Sequence, residues 1–469
     1  MSTPETPAYD FGLIGLGTMG RALLLNMLDH GNQVVGYNRT PEKAQAIEAE
    51  TGGRLRVYSD LAAFVRSIRR PRAIMLLVTA GKATDEVLES LVPFLEPDDF
   101  LIDGGNAHYR DTDRRIASLT ARGFGFMGMG VSGGEDGARY GPSMMPGGTD
   151  AQYARVAPVL ESVAAKYDGV PCVARMGNGS AGHYVKMVHN GIEYAIMQAI
   201  AEVYDLMHRG MGITAPAASD AFIAWNQGPL GGFLVEITGT VLRRRDDLTD
   251  GWLVDAVSDK ARAKGTGKWT SQDAMDLGIP VPSIDAAVTA RELSEAKPLR
   301  THAESVFGTA GTVALTLEAL HDALLATSLI AYAQGLTQIR AASRDYGYET
   351  NLETVATVWR AGCIIRSAQL EPIRAAFHAE PDLESILLDP VIADSVRRAI
   401  PALRTVVSQA VAAGIPTPVL SASLAYFDGL RSSRLPANVI QAQRDYFGAH
   451  TYERLDREGT FHTAWADPS

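Results

Sequence analysis

The sequence of 469 residues contains only two cysteines, Cys172 and Cys363, which lie far apart with no other metal-ligating residues beside them. Neither a disulfide framework nor a zinc site is therefore expected, and a reducing cytoplasm fits this composition. No apolar run approaches the ~20 residues that a transmembrane helix needs. The polar segment Met1–Asp10 lacks the basic and apolar parts of a signal peptide. We expect a cytoplasmic protein without membrane segments.

The sequence also lacks an excess of basic residues. It has 43 Lys and Arg against 54 Asp and Glu, a formal net charge of −11. Nonspecific binding to nucleic acid needs a positive surface that displaces counterions, so this function is disfavoured. An acidic protein can still bind an anionic substrate, provided that basic residues converge at one place.

Short apolar runs alternate with amphipathic stretches over the first ~180 residues, as they do in repeated βα units. The runs read as strands that are buried on both faces. They are Phe11–Gly15, Gln33–Tyr37, Ala73–Val78, Phe100–Asp103 and Gly125–Gly130. This rhythm predicts a Rossmann-like, doubly wound parallel sheet in a dinucleotide-binding domain over residues 1–179.

Residues 180–435 are rich in Ala, Leu, Ile and Met at helical spacing, which predicts a large all-α domain. This part also repeats itself: His189 is echoed by His321, and Trp225 by Trp359. Offsets that agree within a few residues indicate an internal duplication, with chance similarity as the alternative. Residues 436–469 begin as a helix and end in an aromatic tail, which we expect to dock on its own or a neighbouring subunit.

The first predicted strand leads directly into the string Gly15-Leu16-Gly17-Thr18-Met19-Gly20, which opens a helix. Glycines at this spacing let the backbone turn tightly and approach a pyrophosphate at the N-terminus of the helix. Alone such a string is weak evidence. Between a buried strand and a helix it predicts a dinucleotide-binding loop.

The end of the second predicted strand indicates which dinucleotide is bound. Enzymes that use NAD usually have an Asp or Glu there, which accepts a hydrogen bond from the ribose 2′-hydroxyl. This chain has Asn38, Arg39 and Thr40 instead. The guanidinium of Arg39 suits a 2′-phosphate, which a carboxylate would repel. The sequence therefore favours NADP over NAD.

Four polar residues, Lys186, His189, Asn190 and Glu193, interrupt an otherwise apolar predicted helix. Their spacing directs all four side chains to the same face. A solvated stripe on an amphipathic helix is the plain alternative. We favour a reacting centre, because His-Asn-Gly is poor helix-forming sequence and a second polar cluster points to the same chemistry.

This second cluster lies where two further predicted strands end. One strand ends in Val131-Ser132-Gly133-Gly134 and the preceding one in Asp103-Gly104-Gly105-Asn106. Open α/β sheets bind their ligands outside the carboxyl ends of the strands. The Ser132 hydroxyl and the backbone N–H groups beside it suit a carboxylate, and Asn106 is expected beside the nicotinamide.

Seven stretches resemble the signature sequences of the 6-phosphogluconate dehydrogenase family, and they come in that family's order. They are Gly15–Gly20, Asn38–Thr40, Ile102–Asn106, Val131–Gly134, Val185–Tyr194, Lys264–Thr270 and Gln443–His450. Several unrelated runs that match together are more specific than any one motif. The resemblance implies NADP-dependent oxidative decarboxylation of 6-phosphogluconate to ribulose 5-phosphate and carbon dioxide, without a metal.

The resemblance also implies roles for individual residues. Lys186, neutral when substrate is bound, would remove the proton of the 3-hydroxyl while hydride passes to NADP. The resulting β-keto acid would lose carbon dioxide, and Glu193 would then protonate carbon 1 of the enediol. The implied substrate contacts are Asn106, Ser132, Gly133, Gly134, His189, Asn190, Tyr194, Lys264, Thr266, Arg291, Arg444 and His450.

The implied cofactor contacts are Gly15, Leu16, Gly17, Thr18, Met19, Gly20, Asn38, Arg39, Thr40, Val78, Thr79, Ala80 and Asn106. Many relatives have Lys in the turn that here contains Thr79, so weaker binding or weaker preference for NADP is expected. In the family, the tail of one subunit completes the site of the other. Arg444 and His450 therefore imply a homodimer that shares its active sites.

Three other interpretations fit part of these features. A β-hydroxyacid dehydrogenase of the same superfamily has the glycine loop and the catalytic Lys, but is normally much shorter and needs neither Glu193 nor Arg444. A short-form, NAD-preferring 6-phosphogluconate dehydrogenase is disfavoured by Arg39 and by chain length. A non-catalytic NADP-binding protein would not need Lys186 or Glu193, and both are present.

Overall fold

The computed structural model describes residues 7–465, so the outer ends of the first and last predicted segments, 1–6 and 466–469, lie outside the described residues. Seven strands form one sheet in the first half of the chain. They are β1 (Phe11–Ile14), β2 (Val34–Tyr37), β3 (Arg56–Tyr58), β4 (Ala73–Leu76), β5 (Phe100–Asp103), β6 (Gly125–Ser132) and β7 (Ser143–Pro146). Their order is β3-β2-β1-β4-β5-β6-β7. Strands β1 to β6 run parallel, and β7 pairs antiparallel with β6.

Helices cover both faces of this sheet. They are α1 (Thr18–Asp29), α2 (Pro41–Glu50), α3 (Leu61–Ser67), α4 (Lys82–Leu91), α5 (Tyr109–Thr120), α6 (Gly134–Tyr140) and α7 (Asp150–Val163). Leu13 packs into the hydrophobic core on one face of the sheet, and its neighbour Ile14 packs into the core on the other. Central strands that are covered twice must be apolar along their length, as the sequence indicated. The predicted doubly wound sheet is confirmed.

A hairpin of β8 (Lys166–Tyr167) and β9 (Val170–Pro171) precedes the helical half of the chain. Its helices are α8 (Ala181–Asp205), α9 (Ala215–Trp225), α10 (Phe233–Leu242), α11 (Leu253–Ala256), α12 (Thr266–Asp276), α13 (Pro282–Glu295), α14 (Lys297–Phe307), α15 (Leu317–Asp345), α16 (Leu352–Trp359), α17 (Leu370–Ala379), α18 (Pro390–Ala413) and α19 (Pro418–Leu430). The long helices α8 and α15 pack against each other in one extensive core. Gly335 of α15 allows this approach, because a Cβ there would lie 2.5 Å from the side chain of Ile192.

The helical half can be divided into two units that exchange contacts. The first unit contains α8 to α13, and the second contains α15 to α19. His189 of α8 meets Trp359 of the second unit edge-on, with ring centroids 5.7 Å apart and planes at 74°. His321 of α15 meets Trp225 of the first unit at 5.7 Å and 70°. Such reciprocal pairs support the predicted duplication.

Close backbone contacts bring α8 against β6 and so join the two halves. A Cβ on Gly182 of α8 would lie 2.3 Å from the Met145 carbonyl oxygen and 2.5 Å from that of Gly128. A Cβ on Gly130 of β6 would lie 2.3 Å from Cβ of Lys186. Only glycine allows the helix and the strand to approach so closely, and this approach places Lys186 at the junction.

The C-terminal segment contains α20 (Ala437–Gly448), β10 (Tyr452–Glu453) and β11 (Thr460–Phe461). Asp445, which is fully buried, ties it together by accepting hydrogen bonds from the side chains of His462 and Trp465 and from backbone N–H groups. Tyr446 and Phe447 are each 70% exposed. The tail is thus ordered by its own contacts while its aromatic surface remains uncovered in the single chain.

Candidate active site

Lys186, His189 and Asn190 of α8 form one buried hydrogen-bonded group, and Glu193 lies beside it. The Nζ atom of Lys186 donates to Oδ1 of Asn190 and lies 3.3 Å from Nδ1 of His189. Oε2 of Glu193 lies 3.7 Å from the same ring nitrogen, and the Glu193 side chain is 20% exposed. Lys186 is only 6% exposed, so the alternative of a solvated stripe is wrong.

Burial shifts the pKa values of Lys186 and Glu193 in opposite directions. Desolvation lowers the pKa of Lys186 and raises the pKa of Glu193, although the two groups attract each other and each opposes the other's shift. Burial also keeps the pKa of His189 well below its usual value, with the nearby Lys186 adding to this effect. Burial therefore shifts all three groups toward their neutral forms.

The loop after β6 meets this group from the sheet side. Ser132 is buried, and its Oγ lies 3.3 Å from Nε2 of His189. Gly133 and Gly134 follow with φ of 117° and 65°, in the left-handed region that glycine adopts without strain. A Cβ on Gly133 would lie 2.5 Å from the carbonyl oxygen of Gly362. The second helical unit thus covers this loop closely.

Asn106 lies exposed on the turn after β5, and that turn is held by a buried ion pair. Oδ1 of Asp103 accepts a hydrogen bond from the N–H of Gly105 at 3.0 Å, and its Oδ2 lies 3.2 Å from Nη1 of Arg115. Arg115 also donates to the carbonyl oxygen of Gly81. One buried guanidinium therefore fixes the Asn106 turn relative to the turn that contains Thr79.

A cleft of about 790 Å³ lies along the carboxyl ends of β1, β2 and β4. Predicted cofactor residues that line it are Gly15, Leu16, Gly17, Asn38, Arg39, Thr40, Val78 and Thr79. Five further residues that were predicted to contact the cofactor do not line this cleft, namely Thr18, Met19, Gly20, Ala80 and Asn106. Gly20 instead allows close packing of α1 on β1, because a Cβ there would lie 2.0 Å from the carbonyl oxygen of Gly15. The volume and three converging loops suit a dinucleotide.

The charges at the far end of this cleft suit an anion near Arg39. Lys43, in the first turn of α2, also lines the cleft. The prediction from sequence missed it, because Arg39 lies before α2 begins and no helical spacing links the two residues. Glu86 lines the opposite wall near Thr79, so the positive charge lies on the β2 side alone.

Three of the residues predicted for the phosphate, Tyr194, Thr266 and Arg291, lie near the end of the polar stripe. The guanidinium of Arg291 lies 3.5 Å from the ring centroid of Tyr194, and it also donates to the carbonyl oxygen of Arg262. Thr266 is buried at the start of α12. Lys264, two residues earlier, is exposed and forms no ion pair with any residue in the described range 7–465.

The structure of one chain does not bring Arg444 and His450 to this group. Both are exposed on the tail. Arg444 donates to Gln441 of its own helix, and the His450 ring packs against Phe447. Their contacts lie within the tail rather than with α8.

Within residues 7–465, no cluster of three or more His, Cys, Asp or Glu has the arrangement to hold a metal ion. The helices in this range include none that is long and apolar enough to cross a bilayer.

Comparison with known families covers both halves of the chain. The NAD binding domain of 6-phosphogluconate dehydrogenase matches residues 10–177, and the 6-phosphogluconate dehydrogenase C-terminal domain matches residues 182–465. The chain belongs to the 6-phosphogluconate dehydrogenase family. Chain length and these two matches together disfavour the shorter β-hydroxyacid dehydrogenases.

Individual relatives match over almost their entire length. The decarboxylating 6-phosphogluconate dehydrogenase of Lactococcus lactis subsp. lactis (strain IL1403) is 48% identical over 97% of this chain and 98% of its own. The NADP(+)-dependent, decarboxylating enzyme of Bacillus subtilis (strain 168) is 47% identical, with the same coverage. Plasmodium falciparum 6-phosphogluconate dehydrogenase, solved with NADP+ and with its substrate, has a TM-score of 0.94 at 42% identity, covering 97% of this chain and 100% of that one.

Proposed function

We propose that this chain catalyses the oxidative decarboxylation of 6-phosphogluconate to ribulose 5-phosphate and carbon dioxide, with reduction of NADP. The observation that carries the proposal is the buried group on α8. It combines a Lys with a lowered pKa and a Glu with a raised pKa on the helix that packs against β6 of the sheet that bears the dinucleotide cleft. A base and an acid with these shifts are what the two proton transfers of this reaction require.

The neutral amine of Lys186 takes the proton of the substrate's 3-hydroxyl. NADP, when bound, would supply the hydride acceptor, and loss of hydride from carbon 3 gives a 3-keto acid. The carbon–carboxylate bond then breaks, its electrons form a carbon–carbon double bond, and the protonated Lys186 returns its proton to the former ketone oxygen, which gives an enediol. The protonated Glu193 donates a proton to carbon 1 of the enediol while Lys186 takes the hydroxyl proton back, which yields the ketose. Burial of both groups supports this assignment, because it favours the protonation state that each step consumes.

Substrate contacts follow from the same arrangement. Ser132, Gly133 and Gly134 hold the carboxylate, while Asn106, His189 and Asn190 orient the hydroxyl groups. Tyr194, Lys264, Thr266 and Arg291 hold the phosphate. The exposed and unpaired Lys264 and the guanidinium of Arg291 supply the local positive charge that an acidic protein needs for an anionic substrate.

Cofactor contacts are assigned to the glycine loop, to Asn38, Arg39 and Thr40, and to residues 78–80 with Asn106. Arg39 and the neighbouring Lys43 attract the 2′-phosphate, which supports NADP as the cofactor. The domain division at residues 179 and 435 and the cytoplasmic location remain predictions.

The assembly is a homodimer in which each tail completes the partner's site. The exposed aromatic residues of α20 support this, because apolar side chains of this size are normally covered by an interface. Arg444 and His450 then approach the substrate of the second subunit, which accounts for their distance from α8 in one chain.

The deciding experiment measures nicotinamide reduction by absorbance and released carbon dioxide together, with 6-phosphogluconate and either NADP or NAD. We expect one molecule of gas per NADP reduced. Reduction without gas would indicate a simple hydroxyacid dehydrogenase. No reduction by a folded dimer that still binds NADP would indicate a binding protein.

A further inference from the structure

A single buried carboxylate, that of Asp273 on α12, collects hydrogen bonds from three tyrosines. The hydroxyl of Tyr109 donates to Oδ1 at 2.5 Å, and that of Tyr346 donates to the same oxygen at 2.9 Å. The hydroxyl of Tyr184 donates to Oδ2. Asp273 is 3% exposed, and it forms no ion pair with any described residue. None of the steps proposed above uses this carboxylate.

Tyr109, Tyr184 and Asp273 lie on three elements that bear or adjoin residues of the proposed site. Tyr109 begins α5 and follows Asn106 by three residues. Tyr184 lies on α8, two residues before Lys186. Asp273 itself lies on α12, whose first residue is Thr266. One carboxylate therefore joins the nicotinamide side, the proton-transferring helix and the phosphate side of the site.

The hydrogen bonds of this cluster are charge-assisted and have well-defined donors. Burial is the main cause that raises the pKa of Tyr109 and of Tyr184, so both phenols keep their protons and donate them to the carboxylate. The Nε atom of Arg110 donates to the Tyr109 hydroxyl at 2.8 Å, which polarises that phenol further. Bonds of this kind are roughly twice as strong as neutral ones. A carboxylate can accept all three, whereas a side-chain amide has only one acceptor oxygen.

We propose that Asp273 is a positioning residue that fixes the Asn106 turn of the cofactor domain against the helix that contains Lys186. This inference rests on the proposed function, because it concerns the geometry of the same hydride transfer. Reacting atoms must lie about 3–3.5 Å apart, and a misplacement of about 1 Å costs about 100-fold in rate. A link between the domains at this point therefore acts on the chemical step more than on binding.

The test compares Asp273→Asn with Tyr346→Phe, and uses Tyr348→Phe as the matched control. The ring of Tyr348 packs against the rings of Tyr184 and Tyr346. Its hydroxyl, however, forms a hydrogen bond with Ser180 at 2.9 Å and not with Asp273. For Asp273→Asn we expect kcat to fall about 10- to 100-fold while KM for NADP changes less than about twofold. The isotope effect with substrate deuterated at carbon 3 should increase, because hydride transfer becomes slower relative to other steps. Tyr348→Phe should leave all three quantities unchanged.

A merely structural role predicts a different pattern. Melting temperature would fall, but the folded variant would keep the wild-type kcat and isotope effect, and this result would overturn the proposal. If Asp273→Asn does not fold, Tyr346→Phe provides the same test, because Tyr346 is 36% exposed and the carboxylate keeps its other two donors. We expect a smaller loss of kcat for this variant, again with an increased isotope effect.

A double-mutant cycle and hydrogen exchange separate this inference from the proposed function. Tyr346→Phe should have little effect in the Asp273→Asn background, because its bond has already lost the charge. Amide exchange over residues 103–110 should quicken in Asp273→Asn and stay at the wild-type rate in Tyr348→Phe. An inactive wild type would refute the proposed function, whereas unchanged exchange in Asp273→Asn would refute the link between domains.

Discussion

Replacing Lys186 by Met should abolish turnover and leave the protein at least as stable as the wild type. Met keeps the buried aliphatic stem but removes the amine, so the proposed base is lost with little change in packing. A positioned general base contributes about 10²–10⁴-fold to rate, and we expect kcat to fall by that factor. Affinity for NADP should be unchanged, because Lys186 does not line the dinucleotide cleft.

The stability of this variant follows from the direction of the Lys186 shift. The unfolded amine holds its proton up to about pH 10.4, whereas burial lowers the pKa in the folded state. Between these two values the unfolded state binds more protons, so wild-type stability rises with pH across this interval. Below the lowered pKa, the wild type bears the full free-energy cost of burying the ammonium charge. The Met variant has no such cost, and its advantage in stability over the wild type should shrink as pH approaches 10.

The change also removes the hydrogen bond from Lys186 to Asn190, a loss of about 0.5–1.5 kcal/mol that offsets part of the gain. Asn190 keeps one partner, since its Oδ1 lies 3.0 Å from Nδ1 of His189. The assays are steady-state turnover, NADP titration by fluorescence and thermal melts between pH 6 and 10. A variant that retains more than a tenth of wild-type kcat would refute the role of base. If the variant lost NADP binding together with turnover, Lys186 would instead be needed for the folded structure.

Three further changes have definite expected outcomes. Arg39→Ala should raise KM for NADP about 10- to 100-fold, because a charge-assisted contact contributes about 1.5–3 kcal/mol. KM for NAD should change less than about twofold, and an equal rise in KM for both cofactors would contradict the 2′-phosphate assignment. Glu193→Gln should slow only the protonation that follows loss of carbon dioxide. A rapid-mixing burst of NADPH and of carbon dioxide should therefore precede slow turnover, and the absence of a burst would mean that Glu193 acts earlier. Burial raises the pKa of Glu202 to about 7, above its unfolded value of about 4.5, so the folded state binds the extra proton and stability falls as pH rises through this range. Glu202→Gln should flatten that fall in thermal melts, and an unchanged pH profile would contradict this reading.

The fold was largely predictable because its strongest signals are local. The apolar runs, the glycine string before α1 and the polar stripe on α8 each depend on residues within one or two turns of each other. Strands β3 and β7 were missed, since β3 has three residues and β7 ends in a proline, so neither shows a long apolar run. The helical repeat was visible because Trp225 and Trp359 are rare residues at matching offsets.

The parts of the site that escaped prediction depend on contacts between distant segments. Asp273 is 164 residues from Tyr109 in sequence, and a lone Asp on a polar stretch gives no sign that three phenols surround it. Arg115 likewise gave no sign that it would be buried between Asp103 and the turn at Gly81. In the proposed homodimer the place of Arg444 and His450 depends on a second chain, which no pattern within one sequence specifies.

Contacts from the second helical unit explain why the polar group on α8 is buried. Trp359 of the second unit covers the imidazole of His189, and Gly362 lies against the loop at Gly133. Cys363 follows directly and is 1% exposed. A single helical unit would leave this face of α8 open to water, which would return both ionisable groups toward their ordinary pKa values. The second unit therefore contributes to catalysis by excluding water, because the opposed shifts of Lys186 and Glu193 both have burial as their largest cause.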